Sequence, residues 1–257
     1  MRVTLRFLMP PSVGDARARA RGELLERSLT RDLGERVEVE VAESYDALRF
    51  RVRARDVELA WLPAAVCAQC VSHIHAVYRV VRAGRSTYRS ALVADRAAHL
   101  GLSRLRGVRA AWVDPLSLGG YLLVRAHLVE RGLVPEQTFA SERFLGSHPA
   151  ALSAVLDGDA DVAAVSVAGD EDARVEEALA LHGGRAGATR LEALLITQAV
   201  PTDALILTRA LEPPRADALT KRIAAGLPAL RLAMEADALE PAKLEAYARI
   251  AALLPEP

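Results

Sequence analysis

Apolar and polar residues alternate where the chain begins. Val3, Leu5 and Phe7 are separated by Arg2, Thr4 and Arg6, the period-two pattern of a half-buried strand. MPPSVGD then reads as its exit loop. From Asp15 to Leu33 the period changes: Ala16, Ala20, Leu24, Leu25 and Leu29 recur at helical spacing with arginines between them. Val37, Val39 and Val41 alternate with Glu38 and Glu40, a second strand, and Ser44 is placed to cap a helix over Tyr45–Arg53. Val57–Leu62 is a mostly apolar run suited to a buried strand. A short helix over Pro63–Cys70 follows, then strands at Ile74–Val81 and Tyr88–Ala94 on either side of Gly84. The first ninety residues thus read β-α-β-α-β-α-β, the order of a doubly wound sheet.

A second series starts after Asp95. It comprises a strand at Val108–Val113, a helix at Gly119–Arg131, a strand near Thr138–Leu145, and a helix at Pro149–Leu156 capped by Ser147. A strand at Val162–Val167, a helix at Asp170–Leu181, a loop at His182–Gly187 and a strand at Leu191–Ile196 complete it. The segment that follows offers one strand, Ala204–Leu207, and two helices, Pro214–Leu227 and Pro241–Leu254. One strand cannot make a sheet, so this segment is expected to return to the first series. The expected fold is α/β, a two-lobe clamshell in which each lobe is a mixed sheet flanked by helices. Residues 1–94 and 199–257 form lobe 1 and residues 95–198 form lobe 2. Two connecting strands make a hinge, and a cleft between lobes is a natural ligand site.

Val108–Arg131, VRAAWVDPLSLGGYLLVRAHLVER, concentrates the chemistry. A strand feeds a glycine-bearing turn and then a helix, so free backbone N–H groups and the positive end of a helix dipole converge at one point. His148, at a helix start, is a cap residue or an anion donor when protonated. Tyr45 and Tyr88 are cleft walls or core aromatics, and Asp203 is a ligand group or a turn former. Trp61 and Trp112 fall on buried strands and read as core.

Composition narrows the classes. The 257 residues include 33 Lys+Arg and 33 Asp+Glu, so the formal net charge is zero and the basic excess of a nucleic-acid binder is missing. No stretch approaches the roughly 20 apolar residues of a transmembrane helix. MRVTLRFLMPPSVG lacks the pattern of a secretory signal, so the expected location is cytoplasmic as the sequence stands, or periplasmic or lipoprotein-anchored if the true start lies upstream. Cys67 and Cys70 are too few for a disulfide framework. With His73 and His75 they could form a metal set, but zinc sites usually draw their ligand pairs from separate segments, and cysteine is often a small buried hydrophobe. GGRAG at Gly183–Gly187 lacks the Gly-Lys-Ser/Thr ending of a phosphate-binding loop. No metal, no cofactor and no catalytic residue is expected.

Seven segments occur in the order found in one family: VELAWLP (Val57–Pro63), Arg82–Val93 with Gly84 and Tyr88, WVDPLSLGGY (Trp112–Tyr121), Gly132–Pro135, GSH (Gly146–His148), VLDGDADV (Val155–Val162) and VPTDALIL (Val200–Leu207). The chain thereby resembles the phosphate/phosphite/phosphonate-binding solute receptors of ABC transporters, PhnD-like members of the type II periplasmic-binding fold. The resemblance implies a clamshell that closes on a small tetrahedral oxyanion. It assigns ligand contacts to Tyr45, Tyr88, Ser117, Leu118, Gly119, His148 and Asp203, and partners in a small anionic ligand and an ABC transporter permease or a signalling protein. It implies a binder, not an enzyme; the alternatives are a cytosolic sensing domain or a lyase like the chorismate dehydratases, whose N-terminal pattern is missing here. Two departures matter. The family's turn reads DP-x-S-T-S-G, whereas here Leu118 and Gly119 follow Ser117. Ser166 and Val167 stand where a second acidic residue belongs. Both point to a ligand other than an aminoalkyl phosphonate.

Overall fold

The computed structural model describes residues 4–10, 15–115, 117–169 and 174–254, with only the backbone at 15–21. Val3, the exit loop at Pro11–Gly14, Leu116 and the start of the helix expected at Asp170 lie outside the described residues. In chain order the elements are β1 (Leu5–Met9), α1 (Asp15–Leu33), β2 (Val37–Val41), α2 (Tyr45–Arg53), β3 (Leu59–Leu62), α3 (Ala64–Gln69), β4 (Ile74–Val81) and β5 (Thr87–Asp95). After these come β6 (Val108–Trp112), a π-helical turn (Leu118–Leu122) continuing into α4 (Leu123–Glu130), α5 (Pro135–Thr138), β7 (Phe139–Phe144), α6 (His148–Leu156), β8 (Val162–Ala168) and α7 (Arg174–Arg190). The rest are β9 (Leu191–Ile196), β10 (Val200–Pro201), β11 (Ala204–Thr208), α8 (Pro213–Ala224), α9 (Pro228–Ala233), β12 (Ala238–Pro241) and α10 (Leu244–Ala251).

The start signals are local. Ser44 Oγ accepts from the Ala47 N–H, Ser147 Oγ from Ala150 N–H and Ser117 Oγ from Gly120 N–H, each satisfying one of the orphan donors of a first turn.

Two compact units form. One comprises residues 1–86 and 201–252, the other residues 87–200 with the end of the chain. In the first unit the strand order is β12-β4-β11-β3-β1-β2. β1 runs parallel to β2 and β3, while β11 is antiparallel to β3 and β4 and β12 is antiparallel to β4. One face buries Leu5, Phe7, Leu59, Trp61 and Leu205 against Leu25 and Leu29 of α1, Leu219 and Ile223 of α8 and Leu230 of α9. In the second unit the order is β10-β5-β8-β6-β7, with β9 also on β5. β6 is parallel to β7 and β8; β5 is antiparallel to β8 and β9. This sheet is covered on both faces. Ala91, Val93 and Val165 meet α6 and α7, whereas Leu92, Ala164 and Trp112 meet Val124 and Leu128 of α4.

Both sheets are therefore mixed, as expected, but three details differ from the sequence reading. The Tyr88–Ala94 strand, read as closing the first series, is hydrogen-bonded into the second sheet through β8 and β9, with partners from Val162 onward that leave no local trace. The loop expected at His182–Gly187 is narrower than read: two helical segments within α7 meet there at the non-helical Gly184 (φ +61°). Its polar, glycine-rich composition masked the helical residues on either side. The C-terminal segment holds α9 and β12 between the two helices expected there; MEADALEP (Met234–Pro241) is too short and too polar for a period-two signal, and its strand comes from pairing with β4.

The kink in α7 makes a prediction. A Cβ on Gly187 would lie 2.5 Å from the Leu179 carbonyl oxygen, a backbone atom that cannot step aside, whereas one on Gly101 meets nothing within 4 Å. Gly187→Ala is expected to lower stability by about 1–3 kcal/mol, and Gly101→Ala to leave it within about 0.5 kcal/mol, both read by chemical denaturation.

Candidate functional site

A parallel sheet offers ligands its carboxyl edge, because the crossover helices begin there. All seven residues singled out lie on such an edge of their own unit. In the first unit Tyr45 follows β2, and Asp203 immediately precedes β11, whose Ala204 pairs with Leu62 at the carboxyl end of β3. In the second, Ser117, Leu118 and Gly119 follow β6 and His148 follows β7. Tyr88 opens antiparallel β5, opposite Ala168 at the carboxyl end of β8.

The turn after β6 is built by side-chain absence and one buried hydroxyl. Ser90 is fully buried, directly across from Ser166 on the neighbouring strand, and its Oγ donates to the Gly119 carbonyl at 2.6 Å. The Gly120 carbonyl accepts from Val113 N–H at 3.2 Å. Leu122 N–H reaches back to the Ser117 carbonyl, five residues away, which is the wider spacing of a π turn. A Cβ on Gly120 would sit 2.4 Å from Val113, and one on Gly119 3.0 Å from Ser166 Oγ and 3.3 Å from the Tyr88 ring. Glycine is thus required at 120, and Tyr88, Gly119 and Ser166 form one patch. Leu118 is buried. It contributes backbone, not side chain, to the turn. Ser117 Oγ, half-exposed at the mouth, accepts from Gly120 N–H and keeps its own proton to donate. The arrangement supplies hydroxyl and amide donors and no fixed cation within the turn.

His148 follows the exit of β7, where Gly146 N–H donates to the Val113 carbonyl at 2.8 Å. Its ring lies 4.9 Å from the ring of His182 on α7, and it hydrogen-bonds the Ala164 backbone. Burial, then the neighbouring His182, push it down to about 4. At neutral pH it is uncharged, so it is not the protonated anion donor that the sequence allowed. Its Nδ1 is buried without a partner among the described residues.

In the first unit Tyr45 is the half-exposed first residue of α2. Asp203 is committed. Arg82 Nη1 and Nη2 donate to its two carboxylate oxygens at 2.6 and 2.9 Å, and Trp61 Nε1 donates to Oδ2. Arg82 also donates to the Met234 carbonyl (2.7 Å from Nη2) and its guanidinium lies 5.9 Å from the centre of the Trp61 ring. Burial pulls the Arg82 pKa down, but the bond and charge of Asp203 more than offset this and hold it raised. Trp61, read as plain core, is buried and also carries a polar duty.

Cys67 and Cys70 are both fully buried. Burial raises the Cys67 thiol well above its usual range and Cys70 to about 11, so both are protonated at neutral pH and poor metal ligands. His73 faces Ser72 and His75 faces Asp217, so the four residues do not converge.

Three functional neighbours escaped the sequence reading: Ser90, Arg82 and His182. Ser90 did leave a signal, since a lone hydroxyl inside the apolar strand SALVA must find a partner when buried.

The family model for the ABC transporter phosphonate periplasmic substrate-binding protein matches residues 7–252. The chain belongs to this family. Solved structures share the fold of these phosphonate receptors. A Xanthomonas citri protein bound to chloride ion has a TM-score of 0.77 at 19% identity, covering 97% of this chain and 95% of its own. PhnD1 from Prochlorococcus marinus, in complex with methylphosphonate, has a TM-score of 0.67 at 19% identity over 97% and 96%. The binding protein component of an ABC phosphonate transporter from Pseudomonas aeruginosa has 0.68 at 18% over 98% and 86%. Among the described residues no helix is long and apolar enough to cross a membrane; a phosphonate receptor of this family works with a separate permease.

Acidification should reveal the buried histidine. Its pKa is about 6.5 when unfolded and about 4 in the fold, so the unfolded chain takes up the proton first. Its contribution is complete above pH 6.5 and disappears as pH falls from 6.5 toward 4, by up to about 3 kcal/mol. His148→Gln is expected to flatten that part of the stability–pH curve, measured by urea titrations between pH 7.5 and 4.

Proposed function

We propose that this family member is a non-catalytic receptor that holds a small oxyanion of the phosphonate, phosphite or phosphate class at the turn after β6. The observation that carries this reading is the Ser117–Gly120 turn itself. A free hydroxyl proton and the first amides of a helical segment converge there, and Ser90 beneath them fixes the Gly119 peptide. Such neutral, pre-oriented donors suit an anion that keeps its charge in the complex. Ser166 stands against Gly119 and supplies a hydroxyl from β8 beside the turn that lost two of its own. Tyr88 forms the adjoining apolar wall, and Tyr45 is assigned as a ligand-facing aromatic of the first unit. His148 supports the site from the start of α6 as a neutral residue.

Binding without turnover is supported by what the reactive groups are doing. The two thiols are buried and protonated, His148 donates to backbone, and Asp203 is held by Arg82 and Trp61. Family membership supports the periplasm as the place of action and an ABC permease as the partner.

Isothermal titration with methylphosphonate, phosphite, phosphate and sulfate tests the reading. A true ligand at 100 times its Kd adds about 2.7 kcal/mol to stability, visible as a raised Tm. Silence from all four anions would refute it. Ser117→Ala is expected to weaken the best of them by about tenfold or more, and Ser117→Thr, which keeps both the hydroxyl and the cap, to retain most of the affinity.

A further inference from the structure

Asp203 lies at the carboxyl edge of the first unit, where a carboxylate would attract a cationic group on a ligand. The structure gives that carboxylate an internal occupant. Arg82 leaves the end of β4, the neighbour of β11, and grips both oxygens of Asp203 at 2.6 and 2.9 Å. The Trp61 indole N–H takes a further lone pair of Oδ2. A carboxylate has about four acceptor sites. Three are filled here, and the side chain is only 18% exposed. The arginine is equally committed: its Nε and Nη2 also bond the Met234 carbonyl, and its face lies toward the Trp61 ring. An incoming alkylammonium would find the charge of Asp203 already cancelled. To bind there it would have to displace a guanidinium tethered in place by the fold, leaving a half-buried arginine without its counter-ion, which is costly.

We propose that Arg82 is a specificity-determining residue that keeps Asp203 as an internal counter-ion, so that this receptor takes small oxyanions without an amino group and gains nothing from an aminoalkyl phosphonate. This rests on the reading of the chain as a phosphonate-class receptor. Arg82 acts on the ligand through Asp203, so it is a positioning residue, and its role shows as a change in preference between two ligands.

The test is calorimetric titration of the whole protein with methylphosphonate and 2-aminoethylphosphonate. The wild-type protein is expected to bind the amino compound no more tightly than methylphosphonate. Arg82→Gln frees the carboxylate and should move the affinity ratio toward the amino compound by about tenfold or more; adding Asp203→Asn should abolish that gain. Asp203→Asn alone covers the case in which Arg82→Gln does not fold: it should change both affinities by the same factor. A wild-type preference for the amino compound of about tenfold, an unchanged ratio in Arg82→Gln, or a selective loss of the amino compound in Asp203→Asn overturns the proposal while leaving phosphonate binding intact. Failure of the wild-type protein to bind either compound sinks the phosphonate reading and this inference with it.

Discussion

A parallel strand cannot return to its neighbour by a tight turn; it must cross over, and in this chain it crosses by a helix. That constraint fixes where chemistry is possible. In each unit the parallel strands end along one edge, and the crossovers after β2, β6 and β7 each start at a capping serine. Ser44 and Tyr45 after β2, Ser117 after β6 and Ser147 and His148 after β7 are products of the same rule. The antiparallel strands β5 and β11 enter the sheets in the opposite sense, so Tyr88 near the start of β5 and Asp203 just before β11 arrive at the same edges from the other direction.

Within the second unit the geometry of the turn depends on packing beneath it. Ser90 and Ser166 sit opposite each other on β5 and β8, and the buried member of the pair spends its proton on Gly119. Glycine at 119 and at 120 lets the helix start press against β8 and Val113. The first unit solves a different problem, a charged residue at a half-buried edge, by pairing it internally with Arg82 and Trp61.

Much of this was legible in the residues. The helix at Asp15–Leu33, the strand at Val37–Val41 and the capped helix at Tyr45–Arg53 follow from period and caps alone, and the structure has them at the same bounds. The seven ordered segments pointed to the family whose model matches residues 7–252. What escaped depends on distance along the chain. Nothing near Asp203 reveals that Arg82, 121 residues earlier, already holds it. Nothing in GSHPAAL reveals that His148 will be buried against His182 and lose its charge. The π turn escaped because LSLGGYLL has the same apolar period for either helix type, and the difference arises from the outside partners of the Gly119 and Gly120 carbonyls.

That π turn is, in effect, a one-residue insertion in an otherwise ordinary helix. A helix rotates about 100° per residue, so the extra residue sets the angular phase between the turn and everything after Leu123. Trp112, Val124 and Leu128 lock the later part into the core. A deletion inside Leu118–Leu122 would restore regular α geometry while swinging Ser117 to another face. The segment can therefore exchange residues far more easily than it can change length, and variation in ligand choice among relatives of this chain should run through substitutions in this turn, not through insertions or deletions.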